Sequence, residues 1–310
     1  MGHIWVAGAG VVGRRIARFL ADRPIEVIDP REANGFGRLA EGDVVVLASG
    51  GRHAPLAEEV IACGASVITV GDDLDDCRRL LELEERASAN RVSLVIGAAL
   101  SPGLSGLIVR SLLSSLATCT EVHIALHGTA GPSCARAHHR SLSGWSPSWR
   151  DGEMVSAPGG GGRELLWFPE PIGPQDCYLA EIASPLLLHR ALPDVRRISV
   201  RRSARRRDRF TARLPMLKAP HSEGGLGALR VEVRGVDPRG EQVSLVRGVA
   251  EQVGTASAAV ASVFAEAVVE GLLGPGLTLA SDQVVAEHRL LHRVVARGIR
   301  LQEYSGAAGG

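Results

Sequence analysis

The sequence predicts an α/β protein: an N-terminal doubly wound parallel sheet with an inserted second domain of α+β structure. Strand-like and helix-like segments alternate with short loops through the first third of the chain. A glycine-rich turn joins the first strand to the first helix. After about residue 120, longer polar stretches and alternating strands replace this pattern. At 310 residues the chain is long enough for two domains.

The parallel sheet is predicted from five apolar runs in the first third of the chain, at residues 3–8, 25–29, 43–49, 65–71 and 91–100. Segments with helical spacing of apolar residues separate or follow them, at 11–22, 55–64, 72–90 and 101–117. In the last of these, Ser101 is expected to cap the helix and Pro102 to occupy its first position.

The rest of the chain predicts a different architecture. Alternating strands near 196–210 and 228–237 and a turn at "DPRG" indicate a largely antiparallel sheet. A long helix rich in alanine and valine, then a shorter one, follow from residue 251. We therefore expect domains at 1–120 and 121–273, with 274–310 packing back on the first domain.

Composition excludes several classes of protein. Lys and Arg total 35 against 34 acidic residues, a net charge of +1, so a nucleic-acid-binding role is not expected. No apolar run approaches the length of a membrane span. The cysteines are odd in number, widely spaced and without a CxxC pair, which favours a reducing, cytoplasmic location without disulfides or a metal site: Cys63, Cys77, Cys119, Cys134 and Cys177.

The stretch "VAGAGVVGRR" carries the first chemical prediction. Its glycines permit a tight turn, a close approach of pyrophosphate to the backbone and close packing of helix on sheet. The following helix start offers free N–H groups to the anion. The residues expected to bind the cofactor here are Gly8, Ala9, Gly10, Val11, Val12 and Gly13.

The cofactor is predicted from the acid that follows the second strand. Asp29 lies 21 residues beyond Gly8, where a carboxylate binds ribose hydroxyls and repels a 2′-phosphate, so NAD is favoured. Arg31 is also a candidate cofactor ligand, and it keeps NADP possible. The glycine turn alone does not exclude FAD.

Two further loops are expected at the same edge of the sheet, because ligands bind beyond the carboxyl ends of parallel strands. Ser49, Gly50 and Gly51 are predicted to approach the ribose and pyrophosphate. Pro102 and Gly103 are predicted at the nicotinamide end, with Ser105 beside the substrate.

Three segments together, "VAGAGVVGRRIA", "VIDPRE" and "GAALSPGLSGLIVRSL", resemble the saccharopine dehydrogenase-like family of NAD(P)-dependent oxidoreductases. The resemblance covers about the first 110 residues. It implies a Rossmann domain, an inserted α+β domain and dehydrogenase activity. This chain has Ser101 before its Pro-Gly pair, where family members usually have an aspartate, so an amino-acid substrate does not follow from the resemblance.

The segment "GPSCARAHHRSLSG" concentrates reactive groups, and three interpretations remain open. Cys134 and His138, four residues apart on one helix face, could form a nucleophile and base that hold an acyl thioester. Alternatively His138 or His139 donates a proton during hydride transfer and Cys134 is a wall residue. The third interpretation is a surface helix with incidental histidines.

Substrate binding is predicted from the arginine run at 196–213. Arg209 and Arg213 are candidates for binding a carboxylate, and His221 is expected near the same cleft. The sequence thus predicts hydride transfer to or from a carbonyl, imine or secondary amine of a small carboxylated substrate, in a homodimer. A semialdehyde-type thioester enzyme using Cys134 and a non-catalytic dinucleotide sensor are the alternatives.

Overall fold

The computed structural model describes residues 2–30, 36–216 and 218–304. Its strands are β1 (Ile4–Ala7), β2 (Ile25–Ile28), β3 (Val44–Leu47), β4 (Ser66–Thr69), β5 (Ser93–Ile96), β6 (Thr118–His127), β7 (Trp145–Arg150), β8 (Glu153–Pro158), β9 (Glu164–Trp167), β10 (Pro174–Leu179), β11 (Arg197–Ser203), β12 (Leu226–Val236), β13 (Gln242–Gln252), β14 (Gly276–Leu279) and β15 (Gln302–Tyr304). Its helices are α1 (Val11–Phe19), α2 (Ala54–Ala62), α3 (Leu74–Leu81), α4 (Glu84–Ala89), α5 (Leu104–Leu113), α6 (Pro132–Ser141), α7 (Ser184–Ala191), α8 (Arg206–Thr211), α9 (Val253–Val269), α10 (Gln283–Glu287) and α11 (Leu290–Ala296).

The first sheet is parallel, with the strand order β2-β1-β3-β4-β5-β14. β1, β3 and β5 are buried at every position, which explains why their sequences are continuous apolar runs rather than alternating ones. Helices cover both faces. The predicted α/β class with a doubly wound parallel sheet is confirmed. All strands of the second sheet except β15 lie between β5 and β14 in the chain.

The second sheet is mixed, with the order β15-β13-β12-β6-β11-β10-β9, and β7 joins β11 to β8. Among the described strand pairs of this second sheet, only β6 with β11 is parallel. Val122 and Val233 face the core shared with the first domain, whereas His123 and Glu232 face outward. This alternation gives the sheet one apolar and one polar face.

Helix α9 is buried almost throughout and packs against α1, β3 and β4 of the first sheet. It lies within the range 121–273 expected for the second domain. β14 completes the first sheet, and β15 returns to the second. The domain ranges 1–120, 121–273 and 274–310 stay a prediction. No helix in the described parts of the chain combines the length and apolar character needed to span a membrane.

Three local predictions need correction. α5 begins at Leu104 after Gly103, whose φ of +130° favours glycine, so Ser101 does not cap the helix. The single helix expected over 72–90 is two helices, α3 and α4. The strand expected through the arginine run ends at Ser203, because the Asp208 carboxylate accepts the backbone N–H of Arg205 and begins α8.

Candidate functional site

A cavity of about 1050 Å³ lies where the carboxyl ends of the first sheet meet the second domain. Loops after β1, β2, β3, β4 and β5 form one side, and α6 with the residues before it forms the other. This is the edge at which parallel sheets bind ligands. Of the expected cofactor residues, the lining includes Gly8, Ala9, Gly10, Val11, Val12, Asp29, Ser49, Gly50 and Gly51.

The glycine turn has the close contacts that its sequence predicts. Gly8 has a φ of +128°, and a β-carbon there would lie 2.6 Å from the amide nitrogen of Ser49. A β-carbon at Gly13 would overlap the carbonyl oxygen of Gly8. These two glycines bring α1 against the sheet and the turn against the loop after β3. Gly13 performs this packing behind the turn and is not part of the cavity lining.

Gly10 plays a different part in the turn. No described atom lies within 4 Å of the position that its β-carbon would take. It is the N-cap residue of α1, and no side chain caps the helix there. The first N–H groups of α1 therefore face open cavity space, which is the arrangement that binds a pyrophosphate. The turn fits a dinucleotide on its geometry.

Asp29 follows β2 at the same edge of the sheet, on the side of β1 opposite to β3. This places a carboxylate at one end of the cavity and the loops after β3 and β4 at the other. The second candidate for this end, Arg31, lies outside the described residues.

Helix α6 forms the opposite wall and approaches the glycine turn closely. A β-carbon at Gly131 would lie 2.9 Å from Cγ2 of Val11, and one at Gly50 would lie 2.8 Å from Oγ of Ser133. Larger residues at either glycine would push the two domains apart. The start of α6 thus closes the cavity over the cofactor loops, with Cys134 in its lining.

An ion pair crosses the cavity between the two domains. Arg202, on β11, is 6% exposed, and its Nη2 donates to Oδ2 of Asp72 at 2.9 Å. Asp72 follows β4. Nε of Arg202 is buried and has no hydrogen-bond partner among the described residues. A buried guanidinium with an unused donor is suited to an anionic group of a ligand.

Cys134 lies close enough to this pair for the charges of Arg202 and Asp72 to affect the pKa of its thiol. Burial raises its pKa, and the nearby guanidinium of Arg202 offsets only part of that rise. The thiol therefore keeps its proton near neutral pH, whereas a nucleophilic cysteine needs a lowered pKa. This environment does not favour the thioester interpretation.

His53 is a cavity residue that the sequence reasoning missed. It is 1% exposed, its Nε2 lies 2.9 Å from the carbonyl oxygen of Ser49, and its backbone N–H donates to the buried carboxylate of Asp76. Because a carbonyl only accepts, Nε2 carries the proton. Burial lowers the pKa of His53 despite the opposing effects of Ser49 and Asp76, so the ring stays neutral. Through these contacts it holds the loop after β3 against α3.

The two histidines predicted to carry a proton are not among the residues that line the cavity. His138 Nε2 lies 3.1 Å from the carbonyl oxygen of Ser203, and burial, followed by the charge of Arg202, lowers its pKa to about 3. His139 Nε2 lies 2.9 Å from the carbonyl oxygen of Thr211. One imidazole contacts the last residue of β11 and the other the last residue of α8, so these contacts stabilise the second domain.

The junction after β5 lines the cavity with Ala99, Leu100 and Ser101, not with the residues predicted from the sequence. Pro102, Gly103 and Ser105 are outside its lining. Ser105 Oγ donates to Ser101 Oγ at 2.9 Å, and that oxygen also lies 3.0 Å from Oγ of Ser184. These buried hydroxyls satisfy one another. Ser105 supports the junction from behind.

The substrate-binding candidates from the arginine run also lie elsewhere. Arg209 packs over the rings of Tyr178 and Phe210, Arg213 is exposed, and His221 is exposed. None of these three lines the cavity. Arg202, from the same run, does line the cavity. Its signal was the two-residue period of β11, which points Arg202 to the opposite face from Arg201.

Within the described residues, no group of three or more His, Cys, Asp or Glu side chains could hold a metal ion. The chemistry available at the cavity comes from the glycine turn, the helix starts and the pair of Arg202 with Asp72.

Comparison with known proteins gives the fold its context. No family model matches the sequence, and neither does any curated protein. Among solved structures, homospermidine synthase from Legionella pneumophila in complex with NAD superposes with a TM-score of 0.71 at 11% identity, over 98% of this chain and 92% of that one. Saccharopine dehydrogenase (L-Glu forming) from Saccharomyces cerevisiae gives 0.65 at 11% identity, over 99% and 100%. An engineered D-amino acid dehydrogenase bound to NADP⁺ gives 0.51 at 14% identity, over 96% and 99%.

These similarities extend over both domains, although so little of the sequence is shared that they concern the fold alone. The chain therefore has the same two-domain fold as these solved structures.

Proposed function

We propose that this protein is an NAD(P)-dependent oxidoreductase that moves a hydride to or from a carbonyl, imine or secondary-amine carbon of a small carboxylated substrate. The observation that carries the proposal is the presence of the open glycine turn and the pair of Arg202 with Asp72 in one cavity. The solved structures with the same fold, two of which are described with NAD or NADP⁺, support it.

The residues that would hold the dinucleotide follow from the order of the strands. Backbone N–H groups at Gly10, Val11 and Val12 bind the pyrophosphate, and Asp29 accepts from the ribose hydroxyls, which favours NAD. The loops after β3 and β4, including Asp72, line the part of the cavity that would be left for the nicotinamide half. When bound, the nicotinamide ring donates or accepts the hydride.

Arg202 binds the substrate carboxylate in this proposal. Its Nε is unused among the described residues, and Asp72 holds its Nη2 in a fixed orientation. Arg136 and Arg140 also line the cavity and add positive charge. A guanidinium fork matches a carboxylate with two parallel hydrogen bonds, which fixes the substrate carbon in position.

Asp72 handles the proton in this proposal. Oxidation of an alcohol or amine releases a proton together with the hydride, and Oδ2 of Asp72 is an acceptor beside the carboxylate-binding arginine. In the reverse direction the same oxygen returns the proton. The protonated thiol of Cys134 is part of the wall and takes no covalent part.

We also propose a homodimer and a cytoplasmic location. β9 is an edge strand of the second sheet, and Leu165 and Trp167 on it are 57% and 60% exposed. Such an edge is covered in many proteins by a second copy. All five cysteines are unpaired, as in a reducing compartment. Light scattering on the purified protein would give a mass of two chains for a dimer and of one chain if the assignment is wrong.

The proposed reaction is tested by following the absorbance of reduced nicotinamide with pairs of compounds that differ only in a carboxylate. The carboxylated members are 2-oxo acids, tested with and without an added amine, and amino acids, tested in the reverse direction. Each is compared with the analogue that lacks the carboxylate. Wild type should turn over only the carboxylated member. Arg202→Gln should raise KM at least about tenfold, because one charged hydrogen-bonding pair is lost.

Arg239→Gln is the matched control, because Arg239 is exposed in the turn between β12 and β13 and is remote from the cavity lining. It should leave KM unchanged. The assignment of Arg202 would be contradicted if wild type turned over both members of a pair equally and Arg202→Gln did the same. Dinucleotide binding without turnover of any compound would favour the sensor.

A further inference from the structure

A second cavity, of about 310 Å³, lies on the outer face of the second sheet. Its lining includes no residue of the dinucleotide cavity. It forms where outward-facing residues of β6, β11 and β12 meet residues of β7 and β9. Five of its lining residues are arginines: Arg150, Arg197, Arg201, Arg230 and Arg234. A polar sheet face is common, but this concentration of guanidinium groups around one concavity is not explained by exposure to solvent.

The carboxylates of this face are too few to neutralise the arginines. Nη2 of Arg230 and Nε of Arg234 share the carboxylate of Glu232 at 2.7 and 2.6 Å, and Glu232 is only 7% exposed. Arg201 pairs with Glu164 at 3.1 Å. Arg197 and Arg234 share a third carboxylate, that of Glu121.

Arg150 has no ion pair among the described residues. Four guanidinium groups therefore share three carboxylates, and the unpaired Arg150 raises the excess around the cavity to about two positive charges before any histidine is protonated. A dianion would complete the charge balance. A single monovalent anion would not.

Other hydrogen-bonding side chains line the same wall. His123 Nδ1 lies 2.7 Å from Oγ of Ser199, and its Nε2 lies 2.9 Å from Oε2 of Glu121. These two hydrogen bonds hold the hydroxyl of Ser199 in place. Nη1 of Arg201 lies 3.4 Å from Oγ of Ser199. The wall thus presents an oriented hydroxyl next to a guanidinium, the combination that often binds carboxylate or phosphate oxygens.

We propose that this cavity binds a small multivalent anion carrying carboxylate or phosphate groups, as a site separate from the dinucleotide cavity. Its volume corresponds to roughly ten water molecules at about 30 Å³ each, which suits a compact anion and excludes a dinucleotide. Arg197 and Arg201 hold one side of the anion from β11, and Arg230 holds the other from β12. Glu232 keeps the two guanidinium groups of β12 in place.

The test is calorimetric titration of the full-length protein with citrate and, separately, with inorganic pyrophosphate, at an ionic strength held constant with sodium chloride. Citrate supplies only carboxylates and pyrophosphate only phosphate oxygens, so the two arms distinguish the chemical sources. We expect saturable binding of at least one probe at one site per chain. Arg201→Gln should weaken it at least about tenfold.

The choice of variants avoids unfolding. Arg230 and Arg234 are left intact, because removing either would leave the buried carboxylate of Glu232 poorly paired. Arg201→Lys keeps the charge but loses the planar fork, so it should weaken binding less than Arg201→Gln. Arg196→Gln is the matched control, since Arg196 precedes β11, is exposed and does not line the cavity.

Three results would overturn the proposal: no saturable heat with either probe, equal weakening by Arg196→Gln and Arg201→Gln, or displacement of the bound probe by NADH. The last result would place the anion in the dinucleotide cavity. Arg201→Gln should also bind NADH as tightly as wild type does, so failure of this site is distinguishable from failure of the oxidoreductase proposal.

Discussion

Nη2 of Arg202 donates to Oδ2 of Asp72 at 2.9 Å, and this bond joins the second sheet to the first across the proposed active site. The Arg202 side chain is 7% exposed and that of Asp72 25%. Each partner comes from a different sheet, so the pair exists only when the two domains are closed on each other.

The pair should contribute to stability as well as to binding. Asp72→Asn leaves a buried guanidinium without its counter-charge, so we expect the free energy of unfolding to fall by about 1–3 kcal/mol. Urea denaturation of wild type and variant measures this free energy. Asp75→Asn is the control three residues away, because Asp75 is 73% exposed in its pair with Arg78 and should change stability by less than about 0.5 kcal/mol. Equal effects of the two substitutions would contradict the importance of the buried pair.

Cofactor preference should depend on Asp29. Asp29→Ala removes the carboxylate that binds ribose hydroxyls and repels a 2′-phosphate, so the ratio of the Kd values for NADPH and NADH should fall at least about tenfold. Titration of both cofactors against wild type and variant gives the ratio. Asp22→Ala, at an exposed position beyond α1, should leave it unchanged. A wild type that already prefers NADPH would show that Asp29 does not face the ribose.

Stability should decline in mild acid because of His138. Its pKa is 6.5 when unfolded and about 3 when folded, so below pH 6.5 the unfolded chain binds a proton that the folded chain does not. The stabilising contribution is complete above pH 6.5 and is lost as the pH falls toward 3. His138→Gln should therefore flatten the pH dependence of the free energy of unfolding between pH 7 and 5. Parallel curves for wild type and variant would disprove the linkage.

The cysteines should differ in reactivity in a way that separates two mechanisms. Cys134 carries a raised pKa, so a thiol-selective alkylator should modify it slowly at pH 7 and faster as the pH rises. Cys63 is exposed and should be labelled first. Mass spectrometry maps the products. Rapid, selective labelling of Cys134 with loss of activity would instead support the thioester enzyme, as would inactivity of Cys134→Ser.

Much of the fold follows from local sequence signals. The fully apolar strands, the glycine turn and Asp29 each depend on residues close together in the chain, and the structure places them as expected. Arg202 and Asp72 could not be paired in this way, because they lie 130 residues apart and meet only through the packing of two sheets. The acids at 72–76 had a sufficient local explanation as the start of a helix.

The histidines of α6 show the opposite limitation. Their spacing from Cys134 predicts which residues share a helix face, but it does not predict what that face contacts. In the structure, the carbonyl oxygens of Ser203 and Thr211 lie against the two imidazoles. Those carbonyls are available because the arginine run leaves its strand at Ser203, a break that depends on the capping by Asp208.

The central claim, that the cavity binds a nicotinamide dinucleotide at the start of α1, is tested most directly by calorimetric titration of NADH and NADPH into wild type and Gly10→Asp. Gly274→Asp is the control, because a β-carbon at Gly274 also meets no described atom within 4 Å and Gly274 lies outside the cavity lining. We predict saturable binding at one site per chain in wild type and Gly274→Asp, and no detectable binding in Gly10→Asp, where a carboxylate would occupy the place of the pyrophosphate. Unchanged affinity in a folded Gly10→Asp protein, or no binding of either dinucleotide to wild type, would contradict the account.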